Sequence, residues 1–65
     1  MDAKEIGKKL KELRGERRIN EVAEALGISP SALSMYETGT RIPRDVIKIK
    51  IANFYGVNIS DIFYA

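Results

Sequence analysis

Apolar residues recur along the chain at helical spacing, in five short runs parted by glycine and polar residues. Ile6, Leu10 and Leu13 stand at i, i+4 and i+7, one stripe of an amphipathic helix within Glu5–Arg14 that Gly15 would stop. Glu16-Arg17-Arg18 is a polar connector. Val22 and Leu26, with Ala23 beside them, predict a second helix from Asn20, a candidate cap, to Leu26, with Gly27 as its stop. Ser29-Pro30 marks the start of a third: Ser is a good N-cap, and Pro suits a first helical position that needs no N–H. Leu33 and Tyr36 form its apolar face, and Gly39 ends it.

The fourth run carries two signals. Ile47-Lys48-Ile49-Lys50-Ile51 alternates as a strand would, yet no partner strand exists, and Ile47, Ile51 and Tyr55 repeat every four residues. A helix from Asp45, a candidate cap, to Tyr55 is the reading taken, with Gly56 as its stop. A last short helix, Ile59–Phe63, follows Asn58, another candidate cap. The expected fold is all-α, one domain over residues 1–65.

Residues 19–38 meet a demanding template. Two helices crossing at a steep angle through a short turn need a small residue where they touch, a glycine at the turn and apolar seals on both. Ala23 is the small residue and Gly27 the turn, while Val22, Leu26, Ile28, Leu33 and Tyr36 are the seals.

Composition narrows the classes of function. The 65 residues include no Cys and no His, so neither a disulfide nor the common nitrogen and sulfur metal ligands are available, and no cofactor or metal is expected. The lack of Cys fits a cytoplasmic setting. No apolar run reaches the ~18 residues of a membrane span, and the opening residues carry no apolar signal segment. No triad-like arrangement and no glycine-rich phosphate loop appears, so an enzyme is not expected. The aromatics occupy core or terminal positions and do not form an exposed set for stacking RNA bases. The net charge of +2 is unevenly spread: residues 1–20 carry +3, residues 21–40 carry −3 and residues 41–65 carry +2. An acidic middle with basic flanks must grip a polyanion by its flanks.

The residues now named resemble the Cro/phage-repressor (Xre-type) helix-turn-helix family, from Ile6 to Phe63. The match runs through Ile6-Gly7, Leu10, Leu13-Arg14, Val22-Ala23, Leu26-Gly27-Ile28-Ser29, Leu33-Ser34, Tyr36-Glu37, Gly39, Pro43, Ile51-Ala52, Gly56-Val57 and Ile62-Phe63. Ser34-x-x-Glu37-x-Gly39 followed by Pro43 is the most characteristic segment. The resemblance implies a five-helix, lambda-repressor-like domain whose third helix enters the major groove of double-stranded DNA. It also implies a regulator, such as a phage repressor, a restriction-modification controller or an antitoxin. Pro30, Ser31, Ser34 and Met35 match base-facing positions, Arg14 and Glu37 match an ion pair between the first and third helices, and the C-terminal segment 57–65 matches a dimer contact. Two features depart from the pattern. The connector before the second helix is about two residues short, and the polar residue, often Gln, that usually opens that helix is missing.

Ser31 and Ser34 offer single hydrogen bonds to base edges, and Pro30 and Met35 offer contacts to thymine methyl groups. The third helix holds no Arg, Lys, Asn or Gln, the side chains that read bases with paired bonds, so specificity is expected to lean on methyl contacts and DNA shape. The candidates for phosphate contact are Ser29, with the first amides of that helix, then Thr38, Thr40, Arg41 and Arg44, with Arg17 and Arg18 before the second helix. Ile59, Ile62, Phe63 and Tyr64 are too many for a five-residue helix to bury, which agrees with a homodimer contact there. The expectation is a repressor that binds a palindromic operator as a homodimer, with a protein antagonist as one route for a signal. The alternative is a protein-interaction module, an antitoxin or co-regulator on the same frame, which the neutral third helix favours.

Overall fold

Asp2 opens the first helix, its carboxylate accepting the Glu5 N–H at 2.8 Å. The computed structural model describes residues 2–64 as α1 (Ala3–Arg14), α2 (Ile19–Leu26), α3 (Pro30–Thr38), α4 (Asp45–Tyr55) and α5 (Ile59–Phe63). The described residues contain no strand, which settles the alternation at 47–51 as helix. None of the helices is long and apolar enough to cross a membrane. α1 packs on α3 and α5, α2 on α3 and α4, and α4 on α5.

All five helices send side chains into one cluster: Ile6 and Leu10, Val22, Ala23 and Leu26, Leu33 and Tyr36, Ile51, and Ile62 and Phe63. Leu10, Leu33 and Ile51 are wholly enclosed. Each aliphatic side chain of this kind contributes about 1.5–3 kcal/mol by leaving water. Ala23 is likewise fully enclosed, in the helix whose turn leads into α3. That turn is set by Gly27, in the left-handed region at φ 71°, with its N–H bonded to Glu24 O and the Ile28 N–H to Ala23 O. This pair of bonds satisfies the last carbonyls of α2 and swings the chain into α3.

Three helices are not capped as the sequence suggests. α2 begins at Ile19, and Arg18, with extended backbone, holds the cap position; its carbonyl accepts from Val22 N. Ile19 is half-buried against the core, so packing draws the helix two residues further back than an Asn20 cap would place it. α4 likewise has Arg44 at its cap position and Asp45 as its first helical residue, where a negative charge suits the helix dipole. Asn58 does hold the cap position of α5, but its side chain makes no capping bond.

α1 and α3 approach closely at Gly7. A Cβ built on Gly7 would stand 2.4 Å from the Glu37 carbonyl oxygen and 2.6 Å from that of Tyr36. The absence of a side chain at Gly7 therefore lets the backbone of α1 rest directly on the last turn of α3.

Candidate nucleic-acid interface

α3 is fastened from within and bare outside. Ser29 caps it, the hydroxyl oxygen accepting the Ala32 N–H at 3.0 Å, and Pro30 takes the first helical position. Both expectations for this terminus are met. The acceptor role leaves the Ser29 O–H proton for an outside acceptor. Leu33 and Tyr36 face the core. The opposite face presents Pro30, Ser31, Ser34 and Thr38 to solvent, with Met35 half-buried at its edge. Ser31, Ser34 and Thr38 stand at i, i+3 and i+7, so Thr38 belongs to the same exposed strip as the base-facing candidates. Its hydroxyl bonds to Met35 O at 3.3 Å and to the Thr40 hydroxyl at 2.9 Å, which ties the end of α3 to the loop after it.

The Arg14–Glu37 pair is formed. Arg14 Nε donates to Glu37 Oε2 at 2.7 Å and Nη2 to Oε1 at 2.9 Å, a bidentate fork, while Nη1 donates to Arg17 O at 2.7 Å. One guanidinium thus joins α1, the α1–α2 connector and the last turn of α3. The Glu37 hydrogen bond holds the Arg14 pKa above its ordinary value, against the opposing effect of burial. The side chains are only 17% and 5% exposed, so this pair is screened far less than a surface pair.

The arginines proposed for phosphates are placed differently from one another. Arg41 and Arg44 are exposed in the loop between α3 and α4. Arg18 is exposed at the start of α2. The Arg17 guanidinium lies over the rings of Phe54 and Tyr55, 5.5 and 5.6 Å from their centroids, so it is engaged with the end of α4. Asn20, expected as a cap, is instead an exposed amide on the first turn of α2. It becomes visible as a contact candidate only once the helix start at Ile19 is known.

At the C-terminus Ile62 and Phe63 are enclosed in the core of a single chain, and Ile59 is partly buried against it. Tyr64 is exposed, its hydroxyl accepting from Lys48 Nζ at 3.2 Å. That bond is the main cause of a raised Lys48 pKa. Of the four residues expected at a dimer contact, Ile62 and Phe63 are therefore committed to their own domain, leaving Ile59 and Tyr64 with surface to offer. Among the described residues there is no cluster of three or more carboxylate side chains suited to a metal ion.

Residues 10–62 match the model of the family described as helix-turn-helix. A curated relative, the cryptic phage CTXphi transcriptional repressor RstR of Vibrio cholerae, is 39% identical over 56 residues. The match takes in 83% of this chain and 50% of RstR, so the chain spans about half the length of that relative. Among solved structures, the clp gene regulator ClgR from C. glutamicum superposes with a TM-score of 0.79 over 92% of this chain and 80% of its own, at 24% identity. That likeness is one of fold.

Proposed function

The chain belongs to the helix-turn-helix family, and on that premise we propose that it binds double-stranded DNA and regulates transcription, as a repressor seated on a palindromic operator in two copies. The observation that carries the reading is the bare outer face of a firmly held α3. Leu33, Tyr36, the Gly7 contact and the Arg14–Glu37 fork leave this helix one surface to offer. That surface is one exposed face of a single helix, the kind of element a major groove admits. Pro30, Ser31, Ser34, Met35 and Thr38 would face bases. Arg41, Arg44 and the Ser29 hydroxyl, with the first amides of α3, would hold phosphates on either side. Arg18 and Asn20 would add contacts at the start of α2. The name of RstR as a transcriptional repressor supports the regulatory part of the proposal.

The lack of any basic residue on α3 supports a second reading, in which the same face docks on a protein and DNA binding is lost. One experiment separates them: selection of bound duplexes from a random pool, then salt titration of the winner against random DNA. The DNA reading expects a palindromic winner bound at least ~10³-fold tighter than random sequence. It also expects a fall of log K with log salt of about 0.9 per phosphate contact. No enrichment and no salt dependence would overturn it in favour of the protein-docking reading. Met35→Ala should then shift base preference at one position of the half-site; an unchanged preference and affinity would remove Met35 from the reading face.

A further inference from the structure

The alternating run 47–51 resolves on α4 into two apolar faces. Ile47, Ile51 and Tyr55 turn to the core. Val46 and Ile49 point away from it, 66% and 53% exposed, and Ile42, 51% exposed, precedes them in the loop. Among the described residues, three of the five large exposed apolar side chains thus belong to α4 or the loop before it, and exposed Asn53 continues the outer face of the helix. On the helix itself Val46, Ile49 and Asn53 are spaced three and four residues apart, as in the narrow seam of a two-stranded coiled coil and not in the broader stripe that faces a core. On this seam Val46 and Asn53 take the a positions and Ile49 the d position between them; Ile42, in the loop before the helix, lies outside the heptad. Asp45 then falls at g and Lys50 at e, opposite in sign, both exposed. Asp45 has a long contact, 3.6 Å, with Lys48 of its own helix and is free to turn outward, its side chain 87% exposed.

We propose that the outer face of α4 is the docking surface for a second copy of this chain, whose α4 lies parallel to the first. The charges choose both the partner and the direction. In a parallel pair, Asp45 of each copy faces Lys50 of the other, twice over by symmetry; in an antiparallel pair, Asp45 would face Asp45 and Lys50 would face Lys50. A β-branched residue at one a position and a single Asn at the next are the side chains that favour two strands and fix register. Parallel packing also brings both 40–44 loops, with Arg41 and Arg44, to one end of the pair, and with them both α3 C-termini. Two reading helices can then address one face of a duplex. In its use on DNA the inference rests on the function proposed above; as a dimer surface it stands alone. A helix of 11 residues is about 16 Å long, so the seam buries well under the ~800 Å² per partner of a standard interface. Association is therefore weak in free solution and strengthened when one duplex holds both copies.

The chain has no Cys, so single substitutions report without background. Val46→Cys and Ile49→Cys, each in the full chain under mild oxidation at micromolar concentration, should give disulfide-linked dimers, and Tyr64→Cys should stay monomeric. Linkage at Tyr64→Cys with none at the α4 sites, or no linkage at any site, would overturn the proposal. Sedimentation supplies a second test on unlinked protein. Asp45→Lys or Lys50→Asp alone should weaken self-association about threefold, and the double variant should restore it; failure to restore would overturn the parallel arrangement. Neither readout contains DNA, so failure here leaves the DNA-binding reading standing, and failure of duplex selection leaves this surface standing.

Discussion

Single residues carry unequal weight in how α3 is held. Arg14 joins three segments through one guanidinium, and its carboxylate partner is almost fully enclosed. Removing it by Arg14→Ala strands a buried charge and should cost about 3 kcal/mol, the lower end for a buried pair, because the Arg14 side chain keeps some contact with water. Glu37→Gln keeps a hydrogen-bond acceptor and should cost less, about 1–2 kcal/mol; equal losses in denaturant titration would mean that charge has no part in the pair. Tyr55 carries the opposite burden: its hydroxyl is buried with no partner. Tyr55→Phe should leave the protein as stable or up to about 1 kcal/mol more stable at neutral pH. Burial, followed by the nearness of Glu37, raises the Tyr55 pKa above its ordinary 10.0. The unfolded chain therefore loses this proton first. Stability tied to Tyr55 is complete below about pH 10 and is lost as pH rises through the folded value. Wild type should lose more stability than Tyr55→Phe over that range; identical slopes in alkaline unfolding curves would refute the linkage.

Helices were legible in the sequence where the signal is local. Ser29-Pro30 marks a start because capping and a fixed φ act within one turn, and the structure places α3 where those residues put it. Ser29→Ala should cost about 1 kcal/mol, seen as a drop in Tm of about 4–8 °C. The caps of α2 and α4 fall two residues and one residue before their candidates for the complementary reason: the backbone turns at an arginine, and in α2 the packing of Ile19 outweighs the capping preference of Asn20. The role of Gly7 was illegible, since its partner is the backbone of Tyr36 and Glu37, about thirty residues away. Propensity alone would make Gly7→Ala stabilising by about 1 kcal/mol. The new Cβ would instead collide with two carbonyl oxygens, and separating α1 from α3 should make the variant less stable by about 1–3 kcal/mol. A rise in Tm would show that the two helices slide apart at no cost.

At the scale of the whole molecule, charge decides what the domain can hold, and counting residues reveals only part of it. The basic flanks and acidic middle could be read from sequence, and so could the loop arginines, which stay exposed and, among the described residues, outside the ion pairs. The fate of Arg17 could not, for it depends on α4 bringing Phe54 and Tyr55 beneath it from far along the chain. The dimer residues divide in the same way: a run of apolar side chains at the C-terminus says nothing about which of them the core will take. These placements separate the arginines by experiment. Arg41→Ala and Arg44→Ala should each lower the slope of log K against log salt by about 0.9 and weaken binding to all sequences alike, since a phosphate contact carries no base information. Arg17→Ala should instead lower stability, by about 0.5–1 kcal/mol for a guanidinium at a partly exposed ring, and leave the slope unchanged. The two quantities are read on the same variants, unfolding in denaturant and duplex binding at several salt concentrations. A slope for Arg17→Ala that falls as far as that of Arg41→Ala would mean the guanidinium leaves the rings of α4 when DNA arrives, and the grip on phosphate would then extend across the start of α2.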